Sequence, residues 1–424
     1  MSDLSGLLSS LKGCRVLGVN PPVMDFSFFD LWAKPLGLLF LLGLLRERGN
    51  EVYLIDCIRD SAASDKKYGR RVPARREIPK PEAYRQIPRR FWHYGLDVEG
   101  LASRVRSLPR PDLILVTSVM TYWYKGVFWC IEQLKDLLPG VPVILGGIYP
   151  VLCPEHASLS GADEIQTVPL PLPSATPTMD LYGRLTFGVA LSSTGCPRRC
   201  TYCASSLLWP EYRRRDLGRL VAEVDLQVDL GAEDLAFYDD ALLAAKEDHF
   251  YPLCKGIIDR HPGLRLHAPN GLHVREIDRD CASMLHRAGF KTIRLSLEGV
   301  DEVNLKAGGF KASSGEYRAA VSYLSDAGYG PDQVETYVLV GLPGQKASDA
   351  VGTIRFVQSL GAKAKIAQYS PIPGTPLFRE VLRKHPEVHD EPLLQNNTIY
   401  SPFVSGEITA EELQHLKDLA NSPG

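Results

Sequence analysis

No stretch of this chain is apolar for long enough to cross a bilayer. The richest run, PLGLLFLLGLL at 35–45, is closed by Arg46, Glu47 and Arg48, whereas a spanning helix needs about 20 apolar residues. The segment MSDLSGLLSSLKGCRV lacks the basic region and unbroken apolar core of a secretory signal. An excess of charge of either sign is also missing: 48 Lys and Arg against 50 Asp and Glu leave −2 over 424 residues. That balance gives no global case for nucleic acid or an anionic membrane. Nine cysteines, an odd number spread along a chain without an export signal, argue for reduced thiols in the cytoplasm and against a disulfide framework. With 45% hydrophobic and 23% charged residues, the composition is that of a globular protein with room for two domains. Internal repeats and low-complexity tracts are absent.

What is present is an alternation of short apolar runs and helical segments. In the first region, strands are expected at 15–23, 51–58, 111–120 and 141–150, with helices over 35–48 and near 97–107 and 125–138. Such alternation implies an α/β fold with a parallel sheet covered on both faces. Residues 1–160 are therefore expected to form a Rossmann-like, doubly wound domain, which binds ligands beyond the C-terminal ends of its strands. A nicotinamide-type reading finds no G-x-G-x-x-G after the first strand. Residues 59–95 interrupt the pattern with eleven Lys or Arg against four Asp or Glu. Two readings stay open for this insert: a solvated loop, or a flap over an anionic cofactor or substrate, which its ending RRFWHYG favours. A Pro-rich linker follows at 161–185, with Pro169, Pro171, Pro173 and Pro177 in nine residues. Strands are then expected at 186–193, 234–239, 264–269, 291–297, 334–340 and 364–369, separated by helices. Six units are too few for a closed eight-stranded barrel, so 186–385 is expected to form a partial, TIM-like (β/α)6 barrel. In the tail, 386–424, Thr409 and Glu412 suggest a capping box opening a short helix.

A fourth closely spaced cysteine is the most telling absence. Cys196, Cys200 and Cys203 follow the first strand of the second region, where a barrel has its mouth, and no further Cys or His lies near them in sequence. A structural zinc site wants four ligands, and a disulfide would leave one thiol over. A four-iron cluster with three protein thiolates keeps one iron open.

The spacing C-x3-C-x-Tyr202-C resembles the signature of the radical S-adenosylmethionine (SAM) superfamily. That resemblance implies a 4Fe–4S cluster on Cys196, Cys200 and Cys203, with SAM chelating the open iron. Reductive cleavage of SAM would then give methionine and a 5′-deoxyadenosyl radical. It also implies roles at the strand ends. LAFYDDALL offers Tyr238, Asp239 and Asp240 to the SAM amino group, although the family's usual Gly-Gly-Glu is not spelled out. IRLSLEGVD offers Ser296 and Glu298 to the ribose or methionine carboxylate, and VLVGLPGQ places Gly341, Pro343 and Gly344 in a turn lining the adenine.

A Rossmann-like domain ahead of such a barrel resembles the cobalamin-binding class of the superfamily. This implies that Thr117, Ser118, Gly146 and Gly147 meet the nucleotide tail of cobalamin. One departure stands out: NPPVMDFSFFDLWAKPLG holds no D-x-H-x-x-G, and no histidine precedes His93. That motif therefore cannot supply a lower axial ligand to cobalt.

The remaining cysteines, Cys14, Cys57, Cys130, Cys153, Cys254 and Cys281, show no paired spacing and read as small core residues. This speaks against the methylthiotransferases of the superfamily, which hold a second cluster. His267, Asn270, His273 and Arg275, like Lys365, Gln368 and Tyr369, fall at strand ends, where substrate contact and local turn bonding are both open. The expected protein is a radical SAM enzyme, in the first place a cobalamin-dependent C-methyltransferase acting on a small molecule. A radical oxidase, cyclase or rearrangement enzyme is the alternative, and a non-catalytic cluster-binding module a more distant one. It would need an external electron donor such as flavodoxin or ferredoxin.

Overall fold

The computed structural model describes residues 11–61, 64–171, 174–309 and 312–422; Pro173, one of the linker prolines, lies outside them. The chain divides into two compact units. The first comprises Met1–Thr186 with Asp390–Leu393, the second Phe187–His389 with Leu394–Gly424. Among the described residues no helix is long and apolar enough to cross a membrane.

In the first unit, β1 (Arg15–Asn20), β3 (Glu51–Asp56), β6 (Leu113–Val116), β7 (Val143–Leu145) and β8 (Glu164–Ile165) form one parallel sheet in the order β8-β7-β6-β1-β3. This is the doubly wound order whose direction reverses between the first and third parallel strands, here β1 and β6. The intervening numbers belong to a small antiparallel sheet, β2 (Val23–Asp25), β4 (Arg75–Ile78) and β5 (Phe91–Tyr94), ordered β2-β5-β4. The described part of the basic insert is thus built structure rather than a plain solvated loop. Phe91, His93 and Tyr94 are buried, and Arg75 lies 4.4 Å over the Trp92 ring. Helix α1 (Leu36–Glu47) is buried over more than half of its circumference, with the side of Gly37, Leu41 and Leu44 left partly open, a wider buried arc than the single stripe of a surface helix. The cause is the Pro-rich segment: Thr178 N–H donates to the Leu39 carbonyl at 3.2 Å, and a side chain at Gly43 would collide with the Thr176 carbonyl.

Just before α1, Lys34 is 9% exposed, with its Nζ 3.8 Å from the Tyr182 ring centroid. Burial, with Arg59 beside it, lowers its pKa to about 7, against the opposing pull of Asp56 and Asp30. The unfolded lysine holds its proton up to about pH 10.4, so this group costs stability in full below pH 7, and the cost falls as pH rises from 7 to about 10.4. Thermal melts of the wild type are expected to rise more steeply between pH 7 and 9 than those of Lys34→Met, which removes the proton linkage.

The second unit carries six parallel strands in sequential order: β9 (Gly188–Ala190), β12 (Asp234–Phe237), β13 (Arg265–His267), β15 (Phe290–Glu298), β16 (Val334–Val340) and β17 (Lys363–Gln368). A short strand, β14 (Leu272–His273), adds to β15, and β10 (Ser193–Thr194) pairs antiparallel with β11 (Arg213–Arg214). Helices α2 (Val98–Arg106) and α3 (Tyr124–Leu137) belong to the first unit; α4 (Leu217–Asp229), α5 (Tyr251–Arg260), α6 (Arg279–Arg287), α7 (Ser314–Asp326), α8 (Ala347–Ser359) and α9 (Pro376–Lys384) to the second. β9 and β12 are fully buried and β15 is buried over most of its length, whereas the edge strand β17 buries only Ala364; the buried side chains give the open (β/α)6 barrel its large core. Asp216, Asp278, Ser313 and Thr375 cap α4, α6, α7 and α9. Helix α10 (Ala410–Asn421) opens on the Thr409–Glu412 capping box and seats Leu413 and Leu416 in that core.

Candidate active site: a cysteine loop at the barrel mouth

The chain leaves β9 and forms a loop over 195–212 whose neck is the β10–β11 pairing. Gly195, at φ +74°, turns the chain there; a Cβ would stand 2.5 Å from the Glu211 carbonyl, so only glycine fits. Arg199 laces the loop from outside, its guanidinium donating to the carbonyls of Cys196 at 3.0 Å and Pro210 at 3.2 Å. On the inner side Thr201 donates to the Ala307 carbonyl through both N–H and Oγ1, and its own carbonyl accepts from Leu377 N–H at 3.0 Å. Arg198 pairs with Glu276 at 3.1 Å. Both arginines of the loop thus have structural work.

The three thiols are half-buried or exposed, unlike Cys57, Cys130, Cys153, Cys254 and Cys281, which are buried. Backbone N–H groups of Arg198 and Ser205 approach the sulfurs of Cys196 and Cys203, each at 3.4 Å. Cys203 is exposed as a residue, yet the surrounding protein desolvates its sulfur and pushes the thiol up to about 11, and Asp240, Cys200 and Cys196 add to that rise. The Cys203 thiol therefore lies within electrostatic reach of the other two, and its ionisation there needs a compensating cation. Iron supplies one. Among the described residues no three His, Cys, Asp or Glu side chains converge on the point a single ion would occupy. A cluster differs in carrying its thiolates on separate irons. The donor chemistry of the loop, all sulfur, accessible and braced by N–H groups, fits a cluster.

Neighbouring strand ends complete the mouth. Tyr238 N–H donates to the Ala190 carbonyl, and the Tyr238 carbonyl accepts from Asn270 Nδ2 at 2.8 Å. Asp239 is 2% exposed and wholly engaged: it accepts from Ser192 N–H at 2.9 Å and from the hydroxyls of Ser192 and Ser193, each at 2.6 Å. Asp240, by contrast, reaches solvent and accepts from the Ser205 hydroxyl at 2.6 Å. Surrounding protein nonetheless desolvates it enough to hold its pKa above the usual range. An accessible yet desolvated carboxyl is what the wall of a concavity presents. The link Cys203–Ser205–Asp240 could not be read from sequence, since a serine two residues beyond a cysteine carries no signal.

Glu298 adopts φ +69°, a conformation non-glycine residues seldom take, just after a register shift at the end of β15. Such strain gathers at functional sites because surrounding structure must hold it in place. The ring of Tyr202 lies in the loop, with burial, Glu298 and Cys200 all raising its phenol pKa. Ser296 is buried opposite Gly271, whose Cβ would stand 2.5 Å from Ser296 Oγ. At the end of β16, Gly341 has φ +90° against Ser401, and its N–H donates to Gln345 Oε1 at 2.7 Å. Pro343 and Gly344 border a cavity of about 300 Å³ with Glu380, Arg383 and Tyr400. Other strand-end candidates bond locally. His267 is fully buried against Asp234 at 2.9 Å, Arg275 pairs with Glu316, Lys365 with Glu335, and Gln368 Nε2 donates to the Asn397 carbonyl.

In the first unit, Thr117 N–H donates to the Val19 carbonyl, and the Ser118 hydroxyl to the Gly146 carbonyl at 2.8 Å. Gly147, at φ +95°, admits no side chain because the Ser118 carbonyl occupies the space. Gly146 itself is open, with nothing nearer to a built Cβ than Gln166 at 4.0 Å. Close beyond these strand ends Val119 and Met120 are exposed, and in the loop after β2 Phe29 is 76% exposed. Apolar side chains left in solvent at the C-terminal edge of a doubly wound sheet suit a large organic ligand. The unit's described histidines do not lie between β1 and α1: His93 bonds the Leu96 carbonyl and His156 the Tyr149 hydroxyl.

Residues 191–357 match the radical SAM superfamily. A curated relative, the anaerobic magnesium-protoporphyrin IX monomethyl ester cyclase of Cereibacter sphaeroides, is 26% identical over 201 residues, 46% of this chain and 32% of the relative. The chain thus spans about a third of that protein's length. Among solved structures, the radical SAM methyltransferase TsrM from Kitasatospora setae, with cobalamin and a 4Fe–4S cluster bound, superposes with a TM-score of 0.64 at 16% identity, covering 88% of this chain and 78% of that one. The cobalamin-dependent SAM radical enzyme OxsB, with aqua-cobalamin and SAM bound, gives 0.58 at 14% identity over 92% of this chain and 57% of its own. Both share the fold.

Proposed function

We propose that this chain, whose second unit carries a radical SAM domain, is a cobalamin-dependent radical SAM methyltransferase that alkylates an unactivated carbon of a small molecule. The observation that carries the radical reading is the cysteine loop: three accessible thiols, braced on two sides, at the mouth of a (β/α)6 barrel. The superfamily's cofactors are a 4Fe–4S cluster and SAM, which together supply a 5′-deoxyadenosyl radical, and methylcobalamin would supply the methyl group. The chain's own residues do the holding. Cys196, Cys200 and Cys203 give up their protons to ligate iron. Asp240, oriented by Ser205, offers an acceptor to an ammonium. Glu298, fixed by its strained backbone, and Ser296 offer polar contacts to ribose or carboxylate. Pro343 and Gly344, at the border of the cavity, would line a flat base, and Gly341, held by Gln345 and packed on Ser401, shapes the turn.

The cobalamin part rests on the shared fold, on the open Gly146 and on the exposed apolar residues of the first unit. With no histidine between β1 and α1, that segment would not hold cobalt; cobalt would be unligated by the chain or contacted by some other residue. The excess of basic residues at 59–95 favours a partly anionic substrate. An external one-electron donor completes the requirement. A second reading, ring closure by the same radical, is favoured by the cyclase relative.

One experiment tests the proposal. The protein is reconstituted anaerobically, iron and cobalamin are counted, and 5′-deoxyadenosine is assayed after reduction with SAM. Iron and deoxyadenosine without bound cobalamin would remove the methyltransferase reading and leave the radical one. Absence of deoxyadenosine removes both.

A further inference from the structure

The inner face of the open barrel carries charge that the site at its mouth does not use. Side chains alternate along a strand. On β15, Ile293, Leu295 and Leu297 pack into the helix-covered core, so Arg294 and Ser296 face the lumen. On β16 the Thr336 hydroxyl bonds that of Tyr317 in α7, so its neighbours Glu335 and Tyr337 also face inward. The register sets Arg294 beside Glu335, and Ser296 beside Tyr337 and then Lys365 of the edge strand β17. Arg294 is 7% exposed. Its Nε donates to Glu335 Oε2 at 3.0 Å, and its Nη1 to the Tyr337 hydroxyl at 2.8 Å, which in turn donates to the Pro269 carbonyl. Lys365 reaches the same carboxylate, with Nζ 3.4 Å from Oε1. Although burial pushes the Glu335 carboxyl up, the two cations hold it below its usual range. One carboxylate thus serves two cations, and among the described residues nothing accepts from Arg294 Nη2. Other acids are taken or distant. Asp234 is held by Arg265 and His267, and Asp332 by Lys363; Glu298 is four residues along β15 from Arg294, about 13 Å.

We propose that Arg294 and Lys365 anchor an oxyanion of the substrate, a carboxylate or a phosphate, in the barrel lumen below the SAM site. The inference rests on the reading of the mouth as the place where SAM and the radical are held, and it assigns the partly anionic substrate its contact. A purely structural pair would balance its charges, because a buried guanidinium is costly unless it is paired and fully bonded. Here one positive charge is left over, at a point a ligand can reach: the Lys365 side chain is 52% exposed. The open edge of a guanidinium presents coplanar N–H donors that match an oxyanion, and an ammonium adds a second, mobile charge. Ser296 lies two residues beyond Arg294, about 7 Å along β15. A substrate tethered by its anionic end therefore extends towards the mouth. Binding energy drawn from a group remote from the reacting carbon is what orients that carbon for attack.

The test is a lysine footprint of the cluster-loaded full chain. Lysines are acetylated with acetic anhydride in chloride, inorganic phosphate or acetate at matched ionic strength, and the rate at Lys365 is read by peptide mass spectrometry. Lys363, equally exposed but paired with Asp332, is the internal control. A bound anion slows the reaction by 1 + [L]/Kd, about three-fold at twice its Kd, and this slowing is expected at Lys365 and not at Lys363. Protection by phosphate but not acetate would mark a phosphorylated substrate, and the converse a carboxylated one. In Arg294→Gln the protection of Lys365 should vanish; the wild-type comparison decides the matter even if that variant does not fold. Equal rates at Lys365 in all three salts overturn the proposal, as does equal protection of Lys363. Protection of Lys365 by SAM alone also overturns it, by giving the pair to the SAM site. Iron and deoxyadenosine are measured on the same samples, and their absence would instead sink the radical reading on which the inference rests.

Discussion

Replacing Cys200 with alanine is expected to abolish iron binding and 5′-deoxyadenosine formation together while leaving the protein folded. The thiol contributes little to the fold: its described bond is a weak one to the Gly308 carbonyl at 3.7 Å. What anchors this part of the loop is the next residue, Thr201, through its two bonds to Ala307 and one from Leu377. Losing the sulfur should therefore cost about 1 kcal/mol or less. Losing a ligand is different in kind, since two thiolates cannot hold a cluster in the geometry that leaves one iron open. Activity should fall to the level of protein without iron. The measurement is iron and sulfide per chain, deoxyadenosine after reduction with SAM, and melting of both proteins in the metal-free state. Cys14→Ala, in the first unit and remote in sequence, serves as the control and should retain full iron. A Cys200→Ala protein with unchanged iron content would show that the loop is not the cluster site.

The parts of this site that could be read in advance are those that chemistry confines to short spacing. Three thiols within eight residues form a set by spacing alone, so Cys196, Cys200 and Cys203 stand out in the sequence as candidate ligands. The barrel was legible for a related reason, because strands covered on both faces must be short apolar runs between helices. Contacts made by distant segments were not legible. Helix α1 looks too apolar for a surface element until the Thr176 and Thr178 backbone is seen lying on it. The strand β4 is Arg75-Arg76-Glu77-Ile78, mostly exposed at the edge of its sheet, so no alternation of apolar and polar residues betrays it. Arg199 acts on main-chain carbonyls, which every residue has, so no sequence pattern announces its partners.

The two adjacent aspartates after β12 show the same limit and give the second large prediction. Sequence offers Asp239 and Asp240 as equals, but neighbours at a strand end point opposite ways. Asp239 turns inward to three donors on Ser192 and Ser193, and Asp240 turns to the mouth and Ser205. Asp239→Ala strands those donors in a buried place, Asp239 being 2% exposed and Ser193 fully buried. Each unsatisfied buried donor costs about 1–3 kcal/mol, so the variant is expected to lose about 3 kcal/mol or more. Because Ser193 belongs to the neck of the cysteine loop, iron content should fall with stability. Asp240→Ala leaves a single donor without its acceptor, the buried Ser205 hydroxyl, and should cost about 1 kcal/mol, well below the loss in Asp239→Ala. It should keep its iron. Its loss should appear in SAM, as weaker binding and at least a ten-fold drop in deoxyadenosine, if a charge-assisted bond worth about 1.5–3 kcal/mol is removed. Denaturant melts, iron analysis and SAM titration separate the two variants cleanly. If both lose stability and iron equally, Asp240 is a second brace rather than a ligand-facing group. Should Asp239→Ala fold normally yet fail to bind SAM, the roles assigned to the pair are reversed.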